Sequence, residues 1–332
     1  MAIEITTYSP DLTERYNEFV SKFWKRERSK SPDYLYWKFR GNYPDKLIGQ
    51  VIALDNGRVI GISGNIHFEV FIDGKIYPSQ WTFNHMVDIE YRGKGVAPLM
   101  HEEVTPRKPI SFGSAPSPSA SISMARAGYK TMEGSWKVAF PKNLYEILKI
   151  KKINAPLLKW VPNPFFYLPK LVSFFIKSGF VPATESEYAE LYHATKKENE
   201  VYNVLTPDFL AWRFRPFKPF YSGLSIYKNS NGSYYAGFIN KGVYYIADFH
   251  AASVYDFIDM MGHINTMNGT KSIDVIRFMM NVPNHPKWMY FLGFLPFGTN
   301  TTIFYHTKDP ILLEALKNKR FYYSYLDSDE NI

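Results

Sequence analysis

One segment of this chain is written twice. Thr206–Pro219 (TPDFLAWRFRPFKP) lies without gaps on Ser31–Pro44 (SPDYLYWKFRGNYP), with Pro, Asp, Leu, Trp, Phe, Arg and Pro at the same seven places. Agreement in so rich a motif points to duplication, and a duplicated chain must fold as two copies of one architecture. Each copy opens like a helix: Ser31 or Thr206 suits the N-cap, the proline fits the first helical position, and the aspartate complements the helix dipole. At 332 residues the chain has room for two domains of ordinary size.

Alternating apolar patterns and turn residues mark the strands. Ile3–Thr7 comes first, followed by a helical pattern through Leu12, Tyr16, Phe19, Val20, Phe23 and Trp24 and then the first copy of the motif. Leu47–Leu54, Val59–Phe71 and Lys75–Asp88 read as three consecutive strands joined at Asn56-Gly57 and Asp73-Gly74. A short helix from Gly95, a strand at Pro109–Ala115, a helix at Pro118–Ala127 and strands at Tyr129–Met132 and Ser135–Phe140 close the first half. Behind the second copy of the motif come Leu224–Lys228, Tyr234–Asn240 and Gly242–Phe249, with Thr301–His306 as the closing strand.

Between the third of those consecutive strands and its helix stands Val87–Ala97, VDIEYRGKGVA. Gly93 and Gly95 allow positive φ and close approach of an anion to backbone N–H groups, and the following helix adds its dipole and unpaired first-turn donors. Arg92 and Lys94 put positive charge at the rim. A plain turn is the bland alternative, and the spacing is neither that of a Walker loop nor that of the dinucleotide fingerprint. What remains, Arg92-x-x-Gly95-x-Ala97, resembles the pyrophosphate loop of the GNAT acyltransferase superfamily. The order strand, helix, helix, three strands, loop-helix, strand, helix, strands is similar to that fold, and Ala127-Gly128-Tyr129 resembles the Gly-Phe step after the family's fourth helix.

The resemblance implies an α/β (α+β) protein of two tandem GNAT-like domains, each a mixed, splayed central sheet flanked by helices. Residues 1–140 are expected to form the domain with the intact acyl-CoA loop, 141–182 a linker with a helical segment, 183–326 a degenerate GNAT-like domain, and 327–332 a frayed tail. The second copy lacks the loop: Ala252, Ser253, Val254 and Tyr255 stand where Arg92, Gly93, Lys94 and Gly95 do, and Tyr255 is expected to fill the pyrophosphate's space. One active site per chain follows, in the first half.

The family's chemistry is acyl transfer from acyl-CoA, here acetyl-CoA or a longer thioester, to a nucleophile that is most often a primary amine. It implies a cofactor cradle at Arg92, Gly93, Lys94, Gly95, Val96 and Ala97, with backbone groups of Met86, Val87 and Asp88 beside the acyl carbonyl. His85 is the strongest candidate base by chemistry, because imidazole titrates near neutrality; Asp88 and Glu90 follow, with Asp88 alternatively a loop anchor. Where many members carry an acid tyrosine this chain has Met124, leaving Ser123 or Ser121 as hydroxyl donors. Trp37, Trp212, Arg40 and Arg215, being duplicated in a half without the loop, read as structural.

Composition narrows the partners. With no cysteine there is no disulfide and no thiolate chemistry, which fits a cytoplasmic chain, and MAIEITTYSP lacks the basic n-region and apolar core expected of a signal peptide. A net charge of +8 favours anionic partners, but no basic block is long enough for a nucleic-acid arm, so nucleic acid is not expected. The scattered histidines offer no metal-ligand spacing, and Ser111–Ser123 lacks a nucleophile elbow. The run NPFFYLPKLVSFFIKSGF is too interrupted to span a bilayer and reads as a buried or interdomain helix, the alternative being a helix lying on a membrane surface. The leading reading is a cytoplasmic N-acyltransferase for a small-molecule amine, possibly an amino sugar of surface polysaccharide. A Fem-like or mycothiol-synthase-like transferase and a non-catalytic CoA-binding protein are the alternatives.

Overall fold

The computed structural model describes residues 3–23, 32–39, 47–114, 116–150, 153–175, 178–197, 199–218, 221–267, 273–281, 292–296 and 301–327. Strand β1 (Ile3–Tyr8) leads through α1 (Thr13–Ser21) and α2 (Pro32–Lys38) into the meander β2 (Leu47–Asp55), β3 (Arg58–Ile72) and β4 (Lys75–Val87). The turns are of the expected kind, with Asn56-Gly57 at φ 49° and 77° and Asp73-Gly74 at 48° and 80°, two successive positive-φ residues that match the twist of the flanking strands. Next come α3 (Val96–Val104), β5 (Ile110–Ser114), α4 (Pro118–Arg126), β6 (Lys130–Glu133) and β7 (Trp136–Pro141).

The chain continues through α5 (Leu144–Ile150), α6 (Pro164–Phe175), β8 (Val181–Pro182), α7 (Glu185–Thr195), β9 (Glu200–Val204) and α8 (Pro207–Arg213). A second meander, β10 (Ser225–Lys228), β11 (Tyr234–Asn240) and β12 (Val243–His250), is followed by α9 (Val254–Met267), β13 (Val275–Met280), β14 (Leu295–Pro296), β15 (Thr302–His306), α10 (Pro310–Leu316) and β16 (Arg320–Phe321).

The strands form two sheets, ordered β1-β2-β3-β4-β5-β15-β6-β16-β9 and β14-β7-β13-β12-β11-β10-β8. The closing strands expected at Ser135–Phe140 and Thr301–His306 are both present, but each lies in the other half's sheet. β7 inserts between β13 and β14, and β15 between β5 and β6. The crossing point is tied by backbone bonds from Gly134 N to Thr301 O (2.8 Å) and from Thr301 N to Ser135 O (3.0 Å). The halves are therefore interlocked. The ends at 140 and 183 set by reading along the chain do not coincide with the edges of the sheets.

The first sheet also closes on itself. β9 pairs with the far end of β3, Glu69–Phe71 against Tyr202–Val204, so that seven strands make a ring filled by aromatic side chains. Trp81 packs there on Phe68, Phe83, Phe112, Phe321 and Tyr323, drawing its neighbours from both halves. The duplicated helices meet: Trp37 of α2 stacks on Phe217 at 5.0 Å and lies 6.4 Å from Trp212 of α8. Arg213, not Arg215, is the buried arginine of that motif, donating to Tyr325 O at 2.6 Å. Arg40 lies outside the described residues.

Candidate active site

The site begins with an irregularity in β4. Gly64 faces Phe83 and Ile62 faces Met86, so Ser63 is opposed by both Asn84 and His85, and Asn84 takes φ 53°. This β-bulge turns the end of β4. β4 pairs with β5 only from Ser79–Ile110 to Thr82–Gly113; beyond that the two strands part, leaving a gap between Asn84–Val87 and the end of β5.

At the mouth of the gap the chain enters the glycine loop. Asp88 N donates to Ile60 O, and the carboxylate is nearly buried, receiving Lys22 Nζ at 3.1 Å, Arg58 Nη2 at 3.0 Å and Glu90 N at 3.3 Å. Burial works to raise its pKa, but the Lys22 hydrogen bond, the Glu90 amide and the two cations outweigh it and hold the carboxyl below the ordinary aspartate range. Tyr91 Oη donates to Asp55 at 2.8 Å, and Arg92 Nε to Val87 O at 3.3 Å. These bonds fasten the loop from below.

Its upper side is open. Gly93 and Gly95 have φ 78° and 85°, and a Cβ built on either would meet no atom within 4 Å. Gly95 caps α3 without a side-chain bond, no acid occupies the first turn, and Pro98 has no N–H to offer. Among the described residues nothing accepts from the amides of Gly93, Gly95, Val96 or Ala97. Free donors, a helix N-terminus and the exposed Arg92 and Lys94 fit a diphosphate.

The second copy has no such opening, though not because Tyr255 fills it: that ring is half exposed on the first turn of α9. Asp256 occupies the helix end instead. Its carboxylate takes Ser253 Oγ at 2.6 Å, Asn229 Nδ2 at 2.6 Å and Asn231 Nδ2 at 3.0 Å. The chain's own anion neutralises the dipole there.

The expected site residues meet different fates. Val87 packs beneath α3 with Val96 and Met100, whereas Met86 lies on the opposite face of β4. Glu90 is exposed and pairs with Arg58 at 3.3 Å. Ser123 is half-buried on α4 with its carbonyl accepting from Ala127 N, and the neighbouring Met124 lays its methyl group over Gly113 at the parting of the strands.

His85 lies under α3, stacked on His101 with ring centroids 4.4 Å apart, and no described group bonds to either nitrogen of either ring. Burial, and then the neighbouring His101, push its pKa down to about 3. His101 follows at about 4, through burial and then His306. An efficient general base titrates near the working pH, and burial under α3 moves His85 away from it.

One acid escaped the sequence reading. Asp327, expected in the frayed tail, is buried, and residues 328–332 lie outside the described set. Ser324 donates its N–H (3.0 Å) and hydroxyl (3.2 Å) to Oδ2, while Oδ1 lacks a well-aligned donor, with the Asn203 side chain beside it. The carboxyl borders a narrow space, with room for about one water, walled by Phe83, Trp81, Phe68, Ile66, Phe209 and Trp212. Burial raises its pKa to about 7. Phe83, one wall of this space, immediately precedes the bulge in β4. No local pattern could have marked Asp327, because its burial comes from strands and helices far away in the chain.

This arrangement is the GNAT fold. Similar solved structures include GCN5-related N-acetyltransferases from Kribbella flavida (TM-score 0.59, 10% identity, 92% of this chain and 72% of that one) and Anabaena variabilis (0.59, 13%, 91% and 72%). The N-myristoyltransferase of Saccharomyces cerevisiae, solved with myristoyl-CoA bound, is also similar (TM-score 0.54, 12% identity, 91% and 82%). No protein-family model and no curated protein matches the sequence.

Proposed function

We propose that the chain is an acyl-CoA-dependent N-acyltransferase. The observation that carries this reading is the glycine cradle, open above and anchored below, at the mouth of the β4–β5 gap. The diphosphate of CoA rests on the free amides of Gly93, Gly95, Val96 and Ala97, and the thioester enters the gap past His85. An amine attacks the acyl carbon, the C–S bond breaks, and the thiolate leaves. On this reading the amine's proton passes to Asp327, whose raised pKa and underused Oδ1 suit the task better than the ion-paired Asp88 or the acid-shifted His85. Acetyl-CoA is the donor and the primary amine of an amino sugar the acceptor class to try first. A chain that consumes acyl-CoA works where CoA is held, in the cytoplasm.

Calorimetric titration with CoA tests the reading. Wild type binds, and Gly93→Trp/Gly95→Trp, which fills the cradle, does not. Silence from wild type, or unchanged binding by the variant, sinks it; salt-sensitive tRNA binding without CoA binding would point to an aminoacyl-tRNA donor instead.

A further inference from the structure

The chain from Lys142 to Lys177 carries seven lysines and a single acid, Glu146, which leaves it +6 of the whole chain's +8. Its apolar residues are not used up in packing. α6 turns Phe166 into the second core beside Met260, Met261 and Ile264, and this face docks on α9 through Asn265 Nδ2 to Phe166 O at 3.4 Å. The other face carries Phe165, Leu168 and Leu171 at helical spacing, with Leu168 48% and Leu171 56% exposed. The expectation of a buried helix therefore holds for one face only.

Just ahead of α6 in the chain, the 3-10 turn Pro156–Trp160 presents Leu157 at 83% and Trp160 at 88% exposure. A tryptophan and a leucine held out so far, a few residues ahead of a helix with its own exposed apolar stripe, form apolar surface that water alone does not explain. Lysines border it: Lys159 lies over the Tyr145 ring at 4.9 Å, and Lys149 lines an open groove with Tyr145, Ile153 and Asn154.

We propose that this surface rests on an anionic lipid bilayer, with Leu157, Trp160 and the outer stripe of α6 entering the headgroup boundary and the lysines meeting the lipid phosphates. Charge selects the occupant. A second copy on the same patch would bring two +6 segments together, whereas an anionic membrane neutralises them. No helix among the described residues is long and apolar enough to cross a membrane, so the segment lies on the surface.

Co-sedimentation of the full chain with phosphatidylcholine vesicles, with and without phosphatidylglycerol, tests this. The protein binds the anionic vesicles and is released by high salt. Leu157→Glu/Trp160→Glu lowers partitioning by about tenfold or more, and each of Lys149→Gln and Lys159→Gln lowers it about fivefold. Circular dichroism and melting temperature stay unchanged, since none of these side chains is in the core. Failure to bind, binding independent of phosphatidylglycerol, or binding untouched by the double substitution overturns the proposal. So does a dimer in sedimentation that the same double substitution splits, since that would assign the patch to a second copy.

Discussion

Gly134 and Thr301 meet where β7 and β15 pass into each other's sheets, with Gly134 N donating to Thr301 O at 2.8 Å. A Cβ on Gly134 would stand 2.7 Å from that oxygen and 3.0 Å from Ile303 Cγ1. Closeness, not a left-handed φ, makes glycine necessary here. Gly134→Val should destabilise the protein by about 1–3 kcal/mol, as overpacking does. Because the strands are exchanged, urea unfolding of the wild type should show one transition by tryptophan fluorescence and far-ultraviolet dichroism; two separated transitions would mean that the halves unfold independently.

Asp88 anchors the cradle. Asp88→Asn removes its pairing with Lys22 and Arg58, so the loop loosens and CoA affinity should fall about tenfold, with a smaller change in overall stability. The folded carboxyl titrates below the ordinary aspartate value, so its contribution is present above that value and is lost as pH falls through the depressed one. CoA affinity as strong in the variant as in wild type would assign the anchoring to Tyr91 and Asp55 instead.

Buried neutral imidazoles make the fold acid-sensitive. His85 and His101 titrate at about 3 and about 4 when folded, against 6.5 for the unfolded reference. Between those values the unfolded chain binds more protons, so their contribution is complete above pH 6.5 and is lost steadily as pH falls toward the folded values. Replacing both with neutral side chains, as in His85→Gln/His101→Leu, should flatten the decline of the urea midpoint from neutral to acid pH. An unchanged slope would place the acid sensitivity elsewhere.

Asp327→Asn tests the proposed route of the amine's proton. Amine acylation should drop by about 10²–10⁴-fold while CoA binding persists. Wild-type activity should rise with pH through about 7, where the buried carboxyl ionises, and the variant's residual activity should lose that limb. The same substitution should raise the melting temperature above neutral pH, because it removes a buried charge that the folded state disfavours. A rate limb that survives in Asp327→Asn but vanishes in His85→Gln would return the role to His85.

Local chemistry made much of this legible in the residues. Asn56-Gly57 and Asp73-Gly74 announce their turns through the φ values only such pairs take readily, the duplicated Pro-Asp motif starts α2 and α8, and Gly93-Lys94-Gly95 marks an open strand-to-helix loop. Each depends on neighbours within a few positions, so the linear order contains the cause.

What the tertiary structure alone decided depends on residues far apart in the chain. Period-two patterning says that Ser135–Phe140 and Thr301–His306 are strands, but two similar half-sheets offer each strand two equivalent slots, and only the packed molecule shows which it takes. Desolvation is equally non-local: His85 and Asp327 are ordinary titrating groups in the sequence. A helix laid over one and a closed ring of strands around the other shift the histidine toward acid and the aspartate toward neutrality.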